Sequence, residues 1–482
     1  MNTTVPPRAP RGAWPRGRRR LARLAVTGVA IALVASACGS SRTGSDPASG
    51  PSDAGSSTAA TPTTFGDLAS PCGSGDAQGA TAQGVTDTSI TIGFGDDRGF
   101  SAMPGLNAEM GDAVKAMIAW CNKQGGINGR TLVGDQYDAA MTNAAAVMQK
   151  ACKKDFMLVG EGFAYDEAAE QTRVGCGMPV VAGFVIGPNA TMGPDKFESV
   201  PLPVDHYNAA NLASAMEVYP EFKSSVTTLG STSPAVQQGV KVVADALGHL
   251  GASVQKCGVA LSQDGEANYM PFAEKFNKCG AKAVWFSSSA SPITFGLLEA
   301  MQRAKTSMKY VFESTWYTEE AKAWNAKSHA ADGMITGMVF QPFENADVNP
   351  AVKDYLDIVQ GAGAKPGLLG MQAVSAFLLW ADVAHQCGSD LTRECMVTGL
   401  SQVHDWTGGG LHAASDPGNN MPPDCALVVK LTGGEFTQVF PAKRGTFNCN
   451  KDYVIPTDPA ASGVTLDANR HSTAFLARDQ SR

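Results

Sequence analysis

A regular alternation of strand-like and helix-like segments, which begins at residue 89, constrains the fold of this chain more than any other feature of its sequence. Residues 89–95 form a short apolar run that ends in glycine, and residues 107–124 carry apolar side chains at the spacing of one helix face. The same order continues through predicted strands at 131–137, 156–160 and 179–183 and predicted helices at 142–153 and 165–175. Strands separated by single helices predict a parallel sheet with helices on both faces.

A second alternation restarts after a proline-rich stretch at 188–203. Strands are predicted at 226–230, 253–260, 283–287 and 310–312, with helices at 235–250, 269–279 and 292–305 between them. A strand at 334–341, helices at 351–359 and 371–387, and a β-hairpin at 427–440 complete the pattern. Two such runs contain more residues than one hydrophobic core can hold, so the sequence predicts an α/β protein with two lobes.

The first 38 residues have the pattern of an export signal. Seven arginines and no acidic residue accompany an apolar run at 24–35, which is too short to cross a bilayer as a helix. The run ends in Ala35-Ser36-Ala37-Cys38, an order that predicts lipidation of Cys38. Two alternatives remain open: Ala35 replaces the usual leucine, so the same residues also fit ordinary secretory cleavage, and the arginines at 18–20 also fit a twin-arginine signal.

The residues after this cysteine predict a tether. Between positions 39 and 70, 26 of 32 residues are Gly, Ser, Thr, Pro or Ala, a composition that buries too little apolar surface to fold. We therefore expect an exported body that is anchored by lipid to the outer face of the cytoplasmic membrane, with a secreted form as the alternative.

The charge of the mature chain argues against one class of partner. Removal of the signal takes seven arginines from a chain with 38 basic and 45 acidic residues, so the net charge falls from −7 to 31 − 45 = −14. A body this acidic is not expected to bind nucleic acid or anionic lipid directly.

The cysteines predict disulfides rather than a metal site. The chain has 11 cysteines, and lipidation of Cys38 leaves ten, an even number for five disulfides. No CxxC pair occurs and the seven histidines are scattered, so no metal or other cofactor is predicted. Sequence alone does not fix the connectivity, but the spacing suggests the pairs Cys387–Cys395, Cys425–Cys449, Cys257–Cys279 and Cys152–Cys176, which leaves Cys72 with Cys121.

The start of the first lobe resembles a known family. The segment Ser89-Ile-Thr-Ile-Gly93, a helix, the segment Asn122-Lys-Gln-Gly-Gly-Ile-Asn-Gly-Arg130 and a strand ending at Asp138 are similar to the opening of type I periplasmic binding proteins. More narrowly, they are similar to the branched-chain amino-acid and amide receptors of ABC importers, and the resemblance covers about 85–450. It implies two lobes, each on a doubly wound parallel sheet, joined by three hinge crossovers and closing on a small ligand for transport.

On this resemblance the chain divides into seven parts. They are a signal peptide with lipobox at 1–38, a linker at 39–71, lobe 1 at 72–203 and 341–420, lobe 2 at 204–340 and 421–455, and a polar tail at 456–482. The expected partners are a small-molecule ligand, an ABC permease and the lipid anchor, and the protein is expected to be a monomer.

The resemblance also implies where the ligand binds. Ligands of doubly wound sheets lie outside the carboxyl ends of the strands. The loops at these ends are 96–100, 161–165, 184–186, 231–237, 287–291 and 313–317. The candidate ligand-binding residues are Asp97, Phe100, Glu161, Phe163, Phe184, Ser233, Ser289, Glu313, Trp316 and Tyr317.

Acidic residues on these loops set the expected ligand class. Amino-acid receptors of the family hold the ligand carboxylate with a hydroxyl-rich loop, but here residues 161–166 contain no Ser or Thr and begin with Glu161. Glu161 would repel a carboxylate, whereas Glu161, Glu313 and Asp97 would suit amine, hydroxyl or sugar-like donors. The aromatic candidates would stack on a ring or line an apolar pocket. The simpler alternatives are core packing for Phe163 and Phe184 and helix capping for Asp97.

These features predict a solute-binding lipoprotein of an ABC importer. A ligand-sensing lipoprotein without a transport role is the alternative, and an exported enzyme is the least favoured one. The sequence has no GxSxG, HExxH or GK[ST] motif and no cluster of His, Cys and carboxylate residues, so no enzyme is predicted.

Overall fold

A computed structural model describes residues 64–101 and 103–475 of the chain, and Cys38 with its predicted lipid lies outside this part. The strands are β1 Thr64–Phe65, β2 Leu68–Ala69, β3 Ser89–Asp96, β4 Thr131–Asp138, β5 Leu158–Val159, β6 Val180–Ala182, β7 Lys196–Glu198, β8 His206–Asn208, β9 Val226–Ser231, β10 Val259–Leu261, β11 Ala283–Phe286, β12 Lys309–Phe312, β13 Ile335–Met338, β14 Cys425–Thr432, β15 Glu435–Phe440, β16 Asn448–Cys449 and β17 Val454–Pro456. The helices are α1 Ala108–Lys123, α2 Ala144–Ala151, α3 Glu167–Gly175, α4 Ala210–Val218, α5 Pro220–Ser224, α6 Pro234–His249, α7 Met270–Cys279, α8 Pro292–Arg303, α9 Glu319–Ser328, α10 Pro350–Gly361, α11 Leu368–Cys387 and α12 Arg393–Leu400.

Lobe 1 is built on a five-stranded sheet with the order β4-β3-β5-β6-β7, and all neighbouring strands in it are parallel. The short central strands β5 and β6 are buried at every residue. One face of the sheet packs on α1 and α11, and the other packs on α2 and α3. Helices on both faces explain why these strands are continuous apolar runs in the sequence.

Lobe 2 is built on a larger mixed sheet. Strands β10-β9-β11-β12-β13 are parallel, and the hairpin of β14 and β15 extends the sheet with antiparallel pairing to β13. Helices α4 and α6 cover one face, and α7, α8 and α9 cover the other. The predicted second sheet is therefore confirmed, with the predicted hairpin incorporated at its edge.

The chain passes between the two sheets three times, through segments at 199–205, 339–349 and 413–424. Helices α10, α11 and α12, which lie between the second and third passages, share a hydrophobic core with β3 and α1 of lobe 1. We call the three segments at 199–205, 339–349 and 413–424 the connecting segments.

Helix α11 is the one described helix that is long and apolar enough to span a membrane. Thirteen of its 20 residues are buried, and its side chains pack against α1 and the lobe 1 sheet. Its hydrophobicity is therefore explained by its position in the core of lobe 1.

The glycine-rich turn that carries the family resemblance has a structural explanation. Gly126 has φ +77° and lies directly against the carbonyl of Arg130, where a side chain would not fit. The Arg130 side chain is buried and donates to the carbonyls of Thr86 at 3.1 Å, Gly79 at 3.1 Å and Gly388 at 2.9 Å. This turn therefore links the start of lobe 1 to the end of α11.

Five disulfides join the ten cysteines of the described body, in the pairs that the spacing suggested. They are Cys72–Cys121, Cys152–Cys176, Cys257–Cys279, Cys387–Cys395 and Cys425–Cys449. The first, second and fourth of these disulfides lie in lobe 1, and the third and fifth lie in lobe 2, so each closes a loop within one lobe.

Some elements differ from those predicted. The strand expected at 253–260 is formed only at 259–261, because residues 255–258 leave the sheet and pairing with β9 resumes beyond Gly258. Helix α4 was not predicted because six of its nine residues are buried, so it lacks the polar face that marks an amphipathic helix. Strand β7 lies inside the proline-rich stretch, which hid it.

Candidate ligand-binding site

Asp97 connects the loops at the carboxyl edge of the lobe 1 sheet. Its side chain is fully buried and accepts hydrogen bonds from the backbone amides of Met141 at 2.6 Å and Ala164 at 2.7 Å. The two bonds use different carboxylate oxygens, so both oxygens already have a backbone donor. Asp97 therefore shapes the loops after β3, β4 and β5, rather than capping a helix.

Glu161 follows the turn that ends β5 and is only 6% exposed. Among the described residues, no donor lies within hydrogen-bond distance of its Oε2 atom. Burial raises the pKa of Glu161 to about 8, and the charge of Lys196 opposes this only in part. The side chain is therefore mostly protonated at neutral pH, so it repels a carboxylate less than the sequence suggests.

A buried ionic network lies beneath the same edge of lobe 1. Arg173 donates to both carboxylate oxygens of Glu170, from Nη2 to Oε2 at 2.9 Å and from Nε to Oε1 at 3.1 Å, and Lys196 also donates to Oε1. Within the described part of the chain, the side chain of Glu198 on β7 accepts a hydrogen bond from one donor, the hydroxyl of Thr191, at 2.9 Å. Burial raises the pKa of Glu198 to about 8 despite that bond. The network thus keeps Glu170 ionised and leaves a second carboxyl group largely neutral.

The aromatic and aliphatic side chains of the lobe 1 loops divide into buried and exposed sets. Phe163 is 3% exposed and packs in the core between the sheet and α2 and α3, whereas Tyr165, two residues later, is 57% exposed. Phe184 and Phe100 are half-buried, and Phe184 packs against Gly162. The exposed apolar side chains at this edge are Met103, Tyr165, Ile186 and Leu202.

Hydrogen bonds hold these exposed residues on neighbouring loops. The carboxylate of Asp166 accepts from the amides of Ile186 at 2.8 Å and Gly187 at 3.0 Å, which joins the loop of Tyr165 to that of Ile186. Sequence reasoning selected Phe163 and Phe184 and missed Tyr165 and Ile186. No regular alternation marks the exposed residues, because Phe163 is buried and Tyr165, two residues later on the same loop, is exposed.

In lobe 2, Glu313 lies at the carboxyl end of β12 beside Ser287 at the carboxyl end of β11. The hydroxyl of Ser287 donates to Oε1 of Glu313 at 2.6 Å. Burial raises the pKa of Glu313, and the bond from Ser287 opposes that shift. The pKa of Tyr207 on β8 is also raised, first by burial and then by the charge of Glu313.

The structure places the two predicted aromatic residues after Glu313 in the interior. Trp316 is fully buried, packs against Phe312 with the ring planes tilted by 55° and the centroids 4.1 Å apart, and donates from its indole nitrogen to the carbonyl of Ser288 at 2.7 Å. Tyr317 is 5% exposed, and its hydroxyl lies 2.6 Å from Oε2 of Glu344. Trp316 therefore supports the loop after β11, and Tyr317 fastens lobe 2 to the second connecting segment.

The two predicted serines differ in surroundings. Ser233 is half-buried and precedes the first turn of α6, and Ser289 is exposed on the loop after β11. Between Ser287 and Ser289, the hydroxyl of Ser288 is buried with no hydrogen-bond partner among the described residues. Sequence reasoning missed Ser287, although pairing of Phe286 with Phe312 in the sheet puts the next residues, Ser287 and Glu313, side by side.

Two groups of side chains resemble a metal site and a catalytic Ser–His pair, but both have structural explanations. Asp424 lies beside Cys425 and Cys449, but both sulfurs are in a disulfide and offer no thiolate to a metal ion. The hydroxyl of Ser375 lies 2.7 Å from Nε2 of His412, but both residues are buried in the core, and burial lowers the pKa of His412 to about 4. No substrate could reach this pair without unfolding of the core.

Two α/β lobes between which the chain passes three times define the class of two-lobed solute-binding proteins. Similar solved structures include a putative branched-chain amino acid ABC transporter protein from Rhodospirillum rubrum, which has 15% sequence identity and a TM-score of 0.58 over 73% of this chain and 100% of that one. The branched-chain amino acid transporter substrate-binding protein LivJ from Streptococcus pneumoniae, solved with isoleucine, has 16% identity and a TM-score of 0.58 over 73% and 99%. A solute-binding protein from Rhodopseudomonas palustris, solved with p-hydroxybenzoic acid, has 15% identity and a TM-score of 0.58 over 74% and 98%.

The chain belongs to the periplasmic binding protein family, whose model matches residues 89–435. Proteins of this family bind solutes outside the cytoplasm for ABC transporters and are not enzymes. No curated protein matches this chain by sequence.

Proposed function

We propose that this chain is a solute-binding lipoprotein that captures a small polar molecule between its two lobes and passes it to an ABC permease. The protein acts as a monomer, and its partners are the ligand, the permease and the membrane that holds its lipid. Family membership supports the transport role, and the chemistry at the carboxyl edges of the two sheets supports the ligand class.

The arrangement of Glu313 is the observation that carries this proposal. The residue stands at the end of a central strand, is half-buried, and has Ser287 as its hydrogen-bond partner within the described part of the chain. Its Oε2 atom has no donor there. A carboxylate held in place by one neighbour, with its second oxygen unused, is suited to accept a hydrogen bond from a ligand amine or hydroxyl group.

The ligand class follows from the contrast between the two edges. Lobe 2 offers Glu313 with the hydroxyl of Ser287, and lobe 1 offers the exposed side chains of Tyr165 and Ile186. A molecule with donor groups at one end and a ring or apolar portion at the other matches both. Further proposed contacts are Glu161, Phe100, Phe184, Ser233 and Ser289.

Native mass spectrometry of the exported protein tests the ligand class. We expect a bound molecule at one copy per chain, and its identification after denaturation should show an amine or hydroxyl donor. A bound molecule with carboxylate groups and no such donor would contradict the proposed role of Glu313.

Uptake measurements separate transport from sensing. Cells that lack this chain should lose uptake of the labelled ligand, and the intact chain should restore it. Unchanged uptake in cells that lack it would support a sensing lipoprotein instead.

The lipid anchor is tested at Cys38. Mass spectrometry of the N-terminal peptide should find Cys38 as the first residue with a diacylglyceryl group on its sulfur, and Cys38→Ser should release the body from membranes. A mature chain with an unmodified cysteine would establish ordinary secretion.

A further inference from the structure

The last described residues, 457–475, extend beyond the stretch that the family model matches and pack against three parts of the body. They follow β17, which pairs with β8 at the start of lobe 2. Thr457 continues this contact: its amide donates to the carbonyl of Asp205 at 2.8 Å, and its hydroxyl donates to that of Val204 at 2.7 Å. The segment is thus fixed at its start beside the first connecting segment.

Arg470 joins two of the three connecting segments. Its Nε and Nη2 atoms donate to the two carboxylate oxygens of Asp205, at 2.6 Å and 2.8 Å, in the first connecting segment. The same guanidinium donates to the carbonyls of Asn419 at 2.5 Å and Asn420 at 3.2 Å in the third. A planar group with several fixed donors is well suited to hold two backbones in one relative position.

Ser472 carries the segment onto lobe 1. The residue is fully buried, its amide donates to the carbonyl of Met192 at 2.8 Å, and its hydroxyl donates to Oδ1 of Asn189 at 2.7 Å. The loop that it contacts is also bonded to the third connecting segment, through the side chain of Asn420 and the carbonyl of Thr191 at 3.0 Å. One stretch of chain therefore contacts lobe 1, two connecting segments and the strand that opens lobe 2.

We propose that residues 457–473 form a strap across the hinge that limits how far the two lobes open. The segment is bonded to lobe 1 at Ser472 and begins at β17, which pairs with β8 of lobe 2, so a wide opening of the lobes about the connecting segments pulls on the bonds of Arg470 and Ser472 between these two ends. A restricted opening raises the population of closed protein, which raises the apparent affinity for any ligand held between the lobes. The functional consequence rests on the proposed solute capture, but the restraint itself is a property of the ligand-free chain.

The distance between the lobes in ligand-free protein tests the strap. Donor and acceptor dyes are attached to a non-natural amino acid at the exposed positions Lys150 on α2 and Lys278 on α7, which avoids the ten disulfide-bonded cysteines. The protein is compared with Arg470→Gln and with Arg303→Gln, the matched control that removes an exposed pair with Glu299 on α8. We expect Arg470→Gln to lengthen the mean distance by more than about 2 Å and to broaden its distribution, and the control to leave both unchanged.

Two further variants complete the test. Ser472→Ala, which keeps the backbone bond to Met192 but loses the bond to Asn189, should give a smaller change in the same direction. A chain that ends at Pro456 should give the largest change, and if it does not fold, the double variant Arg470→Gln, Ser472→Ala replaces it. The strap would be overturned if the intact protein, Arg470→Gln and the chain that ends at Pro456 gave identical distance distributions. The double variant takes the place of the shortened chain if that chain does not fold. None of these readings depends on ligand, so failure of the proposed function would leave the result interpretable.

Discussion

The carboxyl edges of the two sheets both carry acidic residues, and the two lobes use them differently. In lobe 1 the carboxylate of Asp97 is occupied by two backbone amides, and Glu170 is occupied by Arg173 and Lys196. In lobe 2 the carboxylate of Glu313 has one hydrogen-bond partner among the residues that the structure describes, Ser287, and is only half-buried. Outward-facing groups show the reverse: lobe 1 exposes Tyr165 and Ile186, whereas the aromatic residues after Glu313 are interior.

This difference indicates a division of work between the lobes. Acidic groups whose oxygens are already bonded to backbone or to buried cations maintain the shape of lobe 1. An acidic group with a free oxygen is available for recognition in lobe 2. Substitution in the first set should therefore change stability, and substitution in the second should change affinity.

The largest expected effect is on stability, at Asp97. Asp97→Ala leaves the amides of Met141 and Ala164 without their acceptor and empties the buried position of the carboxylate, so we expect the free energy of unfolding to fall by about 3–4 kcal/mol. Urea unfolding measures this change. The control Asp264→Ala removes an exposed carboxylate from lobe 2 and should shift the unfolding free energy by no more than about 0.5 kcal/mol. Equal stability of the two variants would contradict a structural role for Asp97.

A pH-dependent effect of about 3 kcal/mol is expected at Glu198. Its folded-state pKa, about 8, exceeds the ordinary value of 4.5, so the folded protein gains stability from this group below pH 4.5 and loses it as pH rises towards 8. Glu198→Gln removes that loss. The free energy of unfolding of the variant relative to the unsubstituted protein should therefore rise by about 3 kcal/mol between pH 5 and pH 8. A constant difference over this range would show that Glu198 is not held neutral.

At Glu313 we expect a change in affinity without a comparable change in stability. Glu313→Gln keeps an oxygen for Ser287 but loses the charge, and its new NH2 group faces the ligand donor. Affinity for the retained molecule should fall about 30-fold, or about 2 kcal/mol, by calorimetry. Thermal unfolding of the ligand-free variant should be nearly unchanged. A variant with intact affinity would remove Glu313 from the site.

The smallest expected effect is at Tyr165. Its exposed ring contributes apolar contact on the lobe 1 side, so Tyr165→Ala should weaken binding about fivefold, or about 1 kcal/mol. The matched variant Val133→Ala removes another exposed apolar side chain of lobe 1, from β4, and should leave binding unchanged. Equal affinities for both variants would indicate that lobe 1 contributes backbone contacts instead.

The sequence predicts the fold well because periodicity and strand–helix order determine it. Two sheets, the helices that cover them and five disulfide pairs follow from patterns that span many residues. The resemblance at 89–138 adds the hinge with its three connecting segments.

Side-chain direction at the candidate site could be predicted only in part. Phe163 and Tyr165 are two residues apart on one irregular loop, and the bond between Asp97 and the amide of Ala164 helps to determine which ring turns inward. No local pattern encodes that bond, because its partners are 67 residues apart. The Ser287–Glu313 pair could have been predicted, since the register of β11 with β12 places both residues at one edge. The contacts of Arg470 depend on three distant segments and leave no periodic signal.

The most direct test of the division between the lobes is a crystal structure of the protein with the molecule that it retains. We expect an amine or hydroxyl group of the ligand within about 3 Å of the Glu313 carboxylate, and the apolar part of the ligand against Tyr165 or Ile186. A ligand whose polar groups are held by lobe 1, with Glu313 still bonded only to Ser287, would contradict it.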